Sequence, residues 1–101
     1  MDETITITLK KLIEDKSLKQ EWAEITLQEP NLLQVEQYFE KEKKAKDAGR
    51  NAIEAIRFLI HLVSGVSETA LKTMTLTDYR KCEAWLKGFF TEPVDLGNGK
   101  S

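Results

Sequence analysis

The sequence is short of the residues that hold metals, bridges and covalent intermediates. It has a single cysteine, Cys82, so no intramolecular disulfide forms, and neither a thiolate zinc site nor CxxC redox chemistry can be built. A lone thiol suits a reducing compartment. Histidine is equally scarce. His61 stands alone, between Ile60 and Leu62 on an apolar stretch. A general base needs an orienting partner and a substrate or nucleophile beside it, and no such set is recognisable. His61 therefore reads as a partly buried or edge residue, and Cys82 as a small buried hydrophobe.

Other absences narrow the field further. The five glycines fall at 49, 65, 88, 97 and 99 and form no phosphate-cradling loop. HExxH, GxSxG and an Asp-rich calcium loop are also missing. No cofactor and no metal are expected, and the protein reads as a non-enzyme. The longest apolar stretch, FLIHLV, is far too short to span a bilayer. MDETITIT lacks the basic start and apolar core of a signal peptide. A soluble intracellular protein is expected, with no membrane partner. There is no basic surplus either: 15 Lys and Arg stand against 17 Asp and Glu, for a net charge of −2. That balance argues against a nucleic-acid partner.

What is present is enough for one core, since 101 residues suit a single domain. TITITL (4–9) alternates β-branched and apolar residues, with Ile5, Ile7 and Leu9 on one face. A second strand runs through about 23–27, with Ile25 and Leu27 inward. Glu14-Asp15-Lys16-Ser17 is the expected reversal, because Asp and Ser favour turns. Leu12, Ile13 and Leu18 extend the arms of this hairpin, which spans about 4–28. Pro30 ends the second strand, since it cannot donate to a ladder, and Asn31 caps the helix that follows.

The spacing predicts helices over about 31–46, 50–64, 67–74 and 77–90. In the first, Leu32, Val35 and Phe39 form the inward stripe, with Tyr38 beside it. Its second half, EKEKKAKD, has no apolar face; its mixed charges read as a solvated surface rather than a phosphate-binding one. Gly49 breaks the pattern before the second helix, whose arc of Ile53, Ile56, Leu59, Ile60 and Val63 is the broadest. Gly65 is placed as a C-terminal cap. Ser67 caps the third helix, with Leu71 and Met74 inward. Thr75 or Thr77 caps the fourth, Asp78 suits its first turn, and Tyr79, Cys82, Leu86 and Phe89 make its core stripe. Residues 92–101, EPVDLGNGKS, read as a flexible tail. The expected architecture is α+β: an N-terminal β-hairpin, then a compact body of three to four α-helices, all in one domain over 1–91.

Eight large aromatic rings are many for so small a body. Phe58 and Trp85 fall off the cleanest stripes; either they pack into a wide core or one or both are exposed, and exposed aromatics mark protein-binding surfaces. The residues expected to bind a partner are Phe58, Trp85, Phe89 and Phe90, with Tyr38 and Phe39, while Lys41, Lys43 and Lys44 form a rim that steers. Self-association through a leftover apolar face is a further expectation.

Three landmarks in fixed order carry a family resemblance: ITLQEP before a helix, AIRFLIHLVSGVSETALKTMTLTDY, and KCEAWLKGFF. Together, over about residues 4–91, they resemble the tail assembly chaperones of long-tailed bacteriophages, especially the small chaperones of contractile-tailed phages related to Mu and P2. The chain departs from that pattern at Gln28, where the family often has Arg, and at Asn31-Leu32-Leu33-Gln34. The resemblance implies a non-enzymatic phage or prophage protein of the bacterial host cytoplasm. It would bind the tape-measure protein, assist assembly of the tail-tube protein around it, and be absent from the finished tail. It also implies a longer form made by ribosomal frameshifting. The competing expectation is a small DNA- or RNA-binding regulator, in which short helices joined at Gly65 mimic a helix-turn-helix.

Overall fold

The computed structural model of the protein describes residues 3–44 and 48–91. The chain runs β1 (Thr4–Asp15), β2 (Gln20–Gln28), α1 (Leu32–Lys44), α2 (Ala48–Ser64), α3 (Glu68–Leu71) and α4 (Leu76–Thr91). This is the α+β order expected, an antiparallel hairpin followed by four helices. The end of the first expected helix at 45–46 and the expected tail at 92–101 lie outside the described residues.

Both strands are longer than the alternation alone indicates. Thr4 to Thr8 pair with Gln28 to Glu24, and Ile13 to Asp15 pair with Trp22 to Gln20. Between these blocks β1 advances five residues while β2 moves two, so β1 carries a bulge. Ile7, Leu9, Ile13, Ile25 and Leu27 are buried on the inner face. On the outer face the Thr6 and Thr26 hydroxyls meet at 3.0 Å, a cross-strand pair. Leu12 is exposed in the bulge, and Leu18 sits in the Lys16–Lys19 turn rather than on an arm.

Asp15 closes that turn and does more. Its Oδ1 accepts from the Ser17 amide (3.0 Å), the Ser17 hydroxyl (2.6 Å) and the Leu18 amide (3.3 Å). Its Oδ2 accepts from the Ser67 hydroxyl at 2.7 Å. Ser67 Oγ in turn accepts from the Ala70 amide at 3.2 Å, capping α3. One carboxylate thus joins the hairpin tip to a helix start. Asp78 repeats the device: wholly buried in the first turn of α4, its Oδ2 accepts from the backbone amide of Lys10, inside the bulge, at 2.7 Å. Its sequence position suggested only a dipole contact; the amide freed by the bulge gives it a structural task.

The caps behave as their chemistry predicts. Asn31 and Gln34 exchange side-chain-to-amide bonds of 2.8 and 2.9 Å, a reciprocal capping box. Gly65 ends α2 with φ at +78°, and its amide reaches the His61 carbonyl at 3.0 Å. Thr75, rather than Thr77, caps α4, its hydroxyl accepting from the Asp78 amide at 3.2 Å. α3 is one turn long, and residues 72–74 continue as a turn rather than a helix.

Three expectations need correction. Gly49 lies inside the first turn of α2 instead of breaking the helix, because one glycine costs only about 1 kcal/mol against Ala. Ile53 is 47% exposed, since the arc of α2 centres on Ala55, Ile56, Leu59, Ile60 and Val63. The inward residue of α1 is Tyr38, whereas Leu32 (77%) and Phe39 (50%) are exposed. The Gln34 amide donates to the Leu62 carbonyl of α2 at 3.3 Å, which turns the 34–38 row inward and the Leu32 side outward. The core lies between the inner face of the hairpin and the helices: α2 packs on β2, α3 and α4 on β1, and α1 on the back of α2.

Removing Asp78 as Asp78→Ala should cost about 1–3 kcal/mol by leaving the Lys10 amide without an acceptor. Leu59→Ala, deep in the core, should cost about 2–5 kcal/mol; urea midpoints check both. The Ser17 hydroxyl, then the Ser67 hydroxyl, hold the Asp15 carboxyl below its ordinary range. A group lowered on folding stabilises above its unfolded pKa, and that contribution is lost as pH falls through the folded value. Urea midpoints should therefore drop on acidification below about pH 4, and Asp15→Asn should flatten that drop.

Candidate functional site

The expected partner-binding aromatics form three groups rather than one. Tyr38 of α1 and Phe90 of α4 stack with centroids 5.2 Å apart and planes at 6°. Phe39 tilts against both, at 5.3 Å from Tyr38 and 5.8 Å from Phe90. This trio fastens the end of α4 to α1. Tyr38 is its buried floor and presents almost no surface; Phe39 is its exposed member. The Tyr38 hydroxyl donates to Glu42 at 3.3 Å, and burial, then the Glu42 charge, pushes its phenol up to about 12. Tyr38 is thus a neutral donor across the ordinary pH range.

Trp85 and Phe89 form the second group. One turn apart on α4, they meet edge to face at 4.9 Å and 84°. Trp85 packs partly against the core, while Cys82 and Leu86 beside it are wholly buried. Phe58 of α2 stands apart from both groups, tilted against the His61 ring at 6.4 Å. Lys41 lies over the Phe58 ring at 4.8 Å, a cation–π contact that holds this lysine locally instead of leaving it as a rim charge. Lys44 makes only an exposed pair with Glu40 at 4.0 Å.

Leu32 and Leu33 extend the exposed apolar surface of α1; Leu33 is 62% exposed. A shallow groove runs beside them, lined by Leu33, Glu36, Gln37, Phe39, Glu40 and Lys43. Sequence reasoning assigned Leu32 to the core and gave Leu33 no role. The available signal was their adjacency: successive helical residues differ by about 100°, so a narrow stripe cannot take both.

The residues that carry reactive chemistry elsewhere are occupied here. The His61 Nδ1 donates to the Val66 carbonyl at 2.7 Å, which fixes the turn at Gly65. Cys82 is fully buried, and burial, then Asp78, pushes its thiol up to about 12, so little thiolate forms. Among the described residues no cluster of three or more His, Cys, Asp or Glu is arranged to hold a metal, and no helix is long and apolar enough to cross a membrane. What the site offers is shape and apolar surface: aromatic rings held by packing, with charged residues around them.

Neither the curated proteins nor the solved structures include a significant match to this chain. A family model does match it: that of the phage tail assembly chaperone proteins E, or 41 or 14, over residues 6–91. That span runs from the first strand of the hairpin to the last residue of α4, and it makes the chain a member of the phage tail assembly chaperone family.

Proposed function

We propose that the protein acts without catalysis, by holding the phage tape-measure protein in a soluble state while tail-tube protein assembles around it in the host cytoplasm, and that it leaves before the tail is finished. A tape-measure protein, as the resemblance describes it, is long and helical, so its apolar stripes need cover until a tube encloses them. An amphipathic helix is recognised by laying its apolar face on an apolar groove with a polar rim. The observation that carries the reading is the uncovered surface of α1, where Leu32, Leu33 and Phe39 lie open beside Phe90. Glu36, Gln37, Glu40 and Lys43 border it. Trp85 and Phe89 extend the contact along α4, and Phe58 under Lys41 offers a second edge. Packed rings suit such a surface, because they lose little freedom when a partner arrives.

Co-expression with the tape-measure protein should raise its soluble fraction and let the two proteins co-elute. A Leu32→Ser, Leu33→Ser double variant should reduce co-elution several-fold, with little change in melting temperature because both side chains are mostly exposed. A tape-measure protein that stays insoluble with or without the chaperone would refute the proposal. Concentration-dependent dimerisation abolished by the same variant would assign the surface to a second copy instead.

A further inference from the structure

A cleft of about 190 Å³ lies where α2, α3 and the start of α4 meet. Its walls include Ile53, Ile60, Met74 and Leu76, and two of these are open to solvent, Ile53 at 47% and Leu76 at 59%. Arg57 and Tyr79 also line it. The Tyr79 hydroxyl and the Arg57 Nε are both buried, and neither makes a hydrogen bond among the described residues. Glu68 approaches the Arg57 Nε at 3.7 Å, an ion pair too long to be a hydrogen bond.

Both unsatisfied groups are donors. A guanidinium has no acceptor capacity. Tyr79 stays protonated, since burial, then the Glu83 carboxylate, pushes its phenol up to about 12. Buried donors without acceptors cost stability, and native proteins keep few of them. Two such donors, shielded on side chains that line one apolar cleft, point to a ligand that draws them out by rotation: an apolar group that brings acceptor oxygens. Lys72, also at the cleft, adds positive charge. A carboxylate answers all three.

We propose that this cleft binds a partner's amphipathic helix by one large apolar side chain, with an Asp or Glu one turn away accepting from Tyr79 and Arg57. That spacing puts both groups on one helix face. The helical form of the partner rests on the proposed tape-measure reading; the demand for acceptors rests on the cleft alone.

The test uses the full chain and two labelled helical peptides in fluorescence anisotropy. One carries a leucine stripe with Glu one turn from the central Leu, and the other has Ala in place of that Glu. The Glu peptide should bind about tenfold tighter, the range of a charge-assisted hydrogen bond. Tyr79→Phe should remove most of that preference while leaving the melting temperature unchanged or higher, because the hydroxyl satisfies nothing in the free protein. Leu76→Ser should weaken both peptides alike. Equal affinity for the two peptides, no binding of either, or a fall in the melting temperature of Tyr79→Phe would overturn the proposal. A held peptide preference with no tape-measure co-elution would sink the tape-measure reading and leave the cleft standing. Co-elution that persists while the peptides fail to discriminate would do the reverse.

Discussion

Two buried carboxylates fix how the hairpin sits on the helices. A lone two-stranded hairpin is marginal in water, and among the described residues this one has no third strand beside it. Apolar packing on α2, α3 and α4 supplies most of the attraction but little direction. Asp15 and Asp78 supply direction. One ties the hairpin tip to the start of α3, and the other ties the bulge to the start of α4. Each anchors a strand position to a helix N-terminal turn, where backbone amides already favour negative charge. Burying a carboxylate is tolerable only when its oxygens find donors. Asp15 meets that condition with four. Asp78 meets it on one oxygen, with Lys81 at 3.9 Å from the other.

The order of elements was legible because local signals agree with the global fold: Thr-Ile alternation, Pro30 then Asn31, Gly65 then Ser67, Thr75 ahead of Asp78. What remained hidden depends on contacts distant in sequence. The bulge in β1 is satisfied by Asp78, which is 68 residues away from Lys10. The rotation of α1 follows from Gln34 meeting Leu62 and Tyr38 meeting Phe90, so periodicity within α1 could not decide between Tyr38 and its neighbours. Of the candidate surface, the aromatic composition was visible and its division into separate groups was not. Tyr38 was expected on the same surface as the other five aromatics, but it packs between Phe39 and Phe90 as a buried floor.

The surface follows from the same economy. Among the described residues α1 is covered on one side, by α2 and the end of α4, so one of its two apolar sides stays open. Tyr38 takes the inner side, and Leu32, Leu33 and Phe39 are left outside. Exposed apolar area of this kind lowers solubility in a free protein. It is the surface proposed above for the partner helix.

The bulge has a consequence beyond anchoring. A two-stranded sheet exposes both of its edges, and a straight exposed edge invites pairing with another chain and, from there, aggregation. In β1 the regular ladder is cut into a five-residue run, Thr4–Thr8, and a three-residue run, Ile13–Asp15. The interruption bends the strand, and the carboxylate of Asp78 occupies the Lys10 amide within it. The kink is thus a guard against edge-to-edge pairing of this sheet with a second copy.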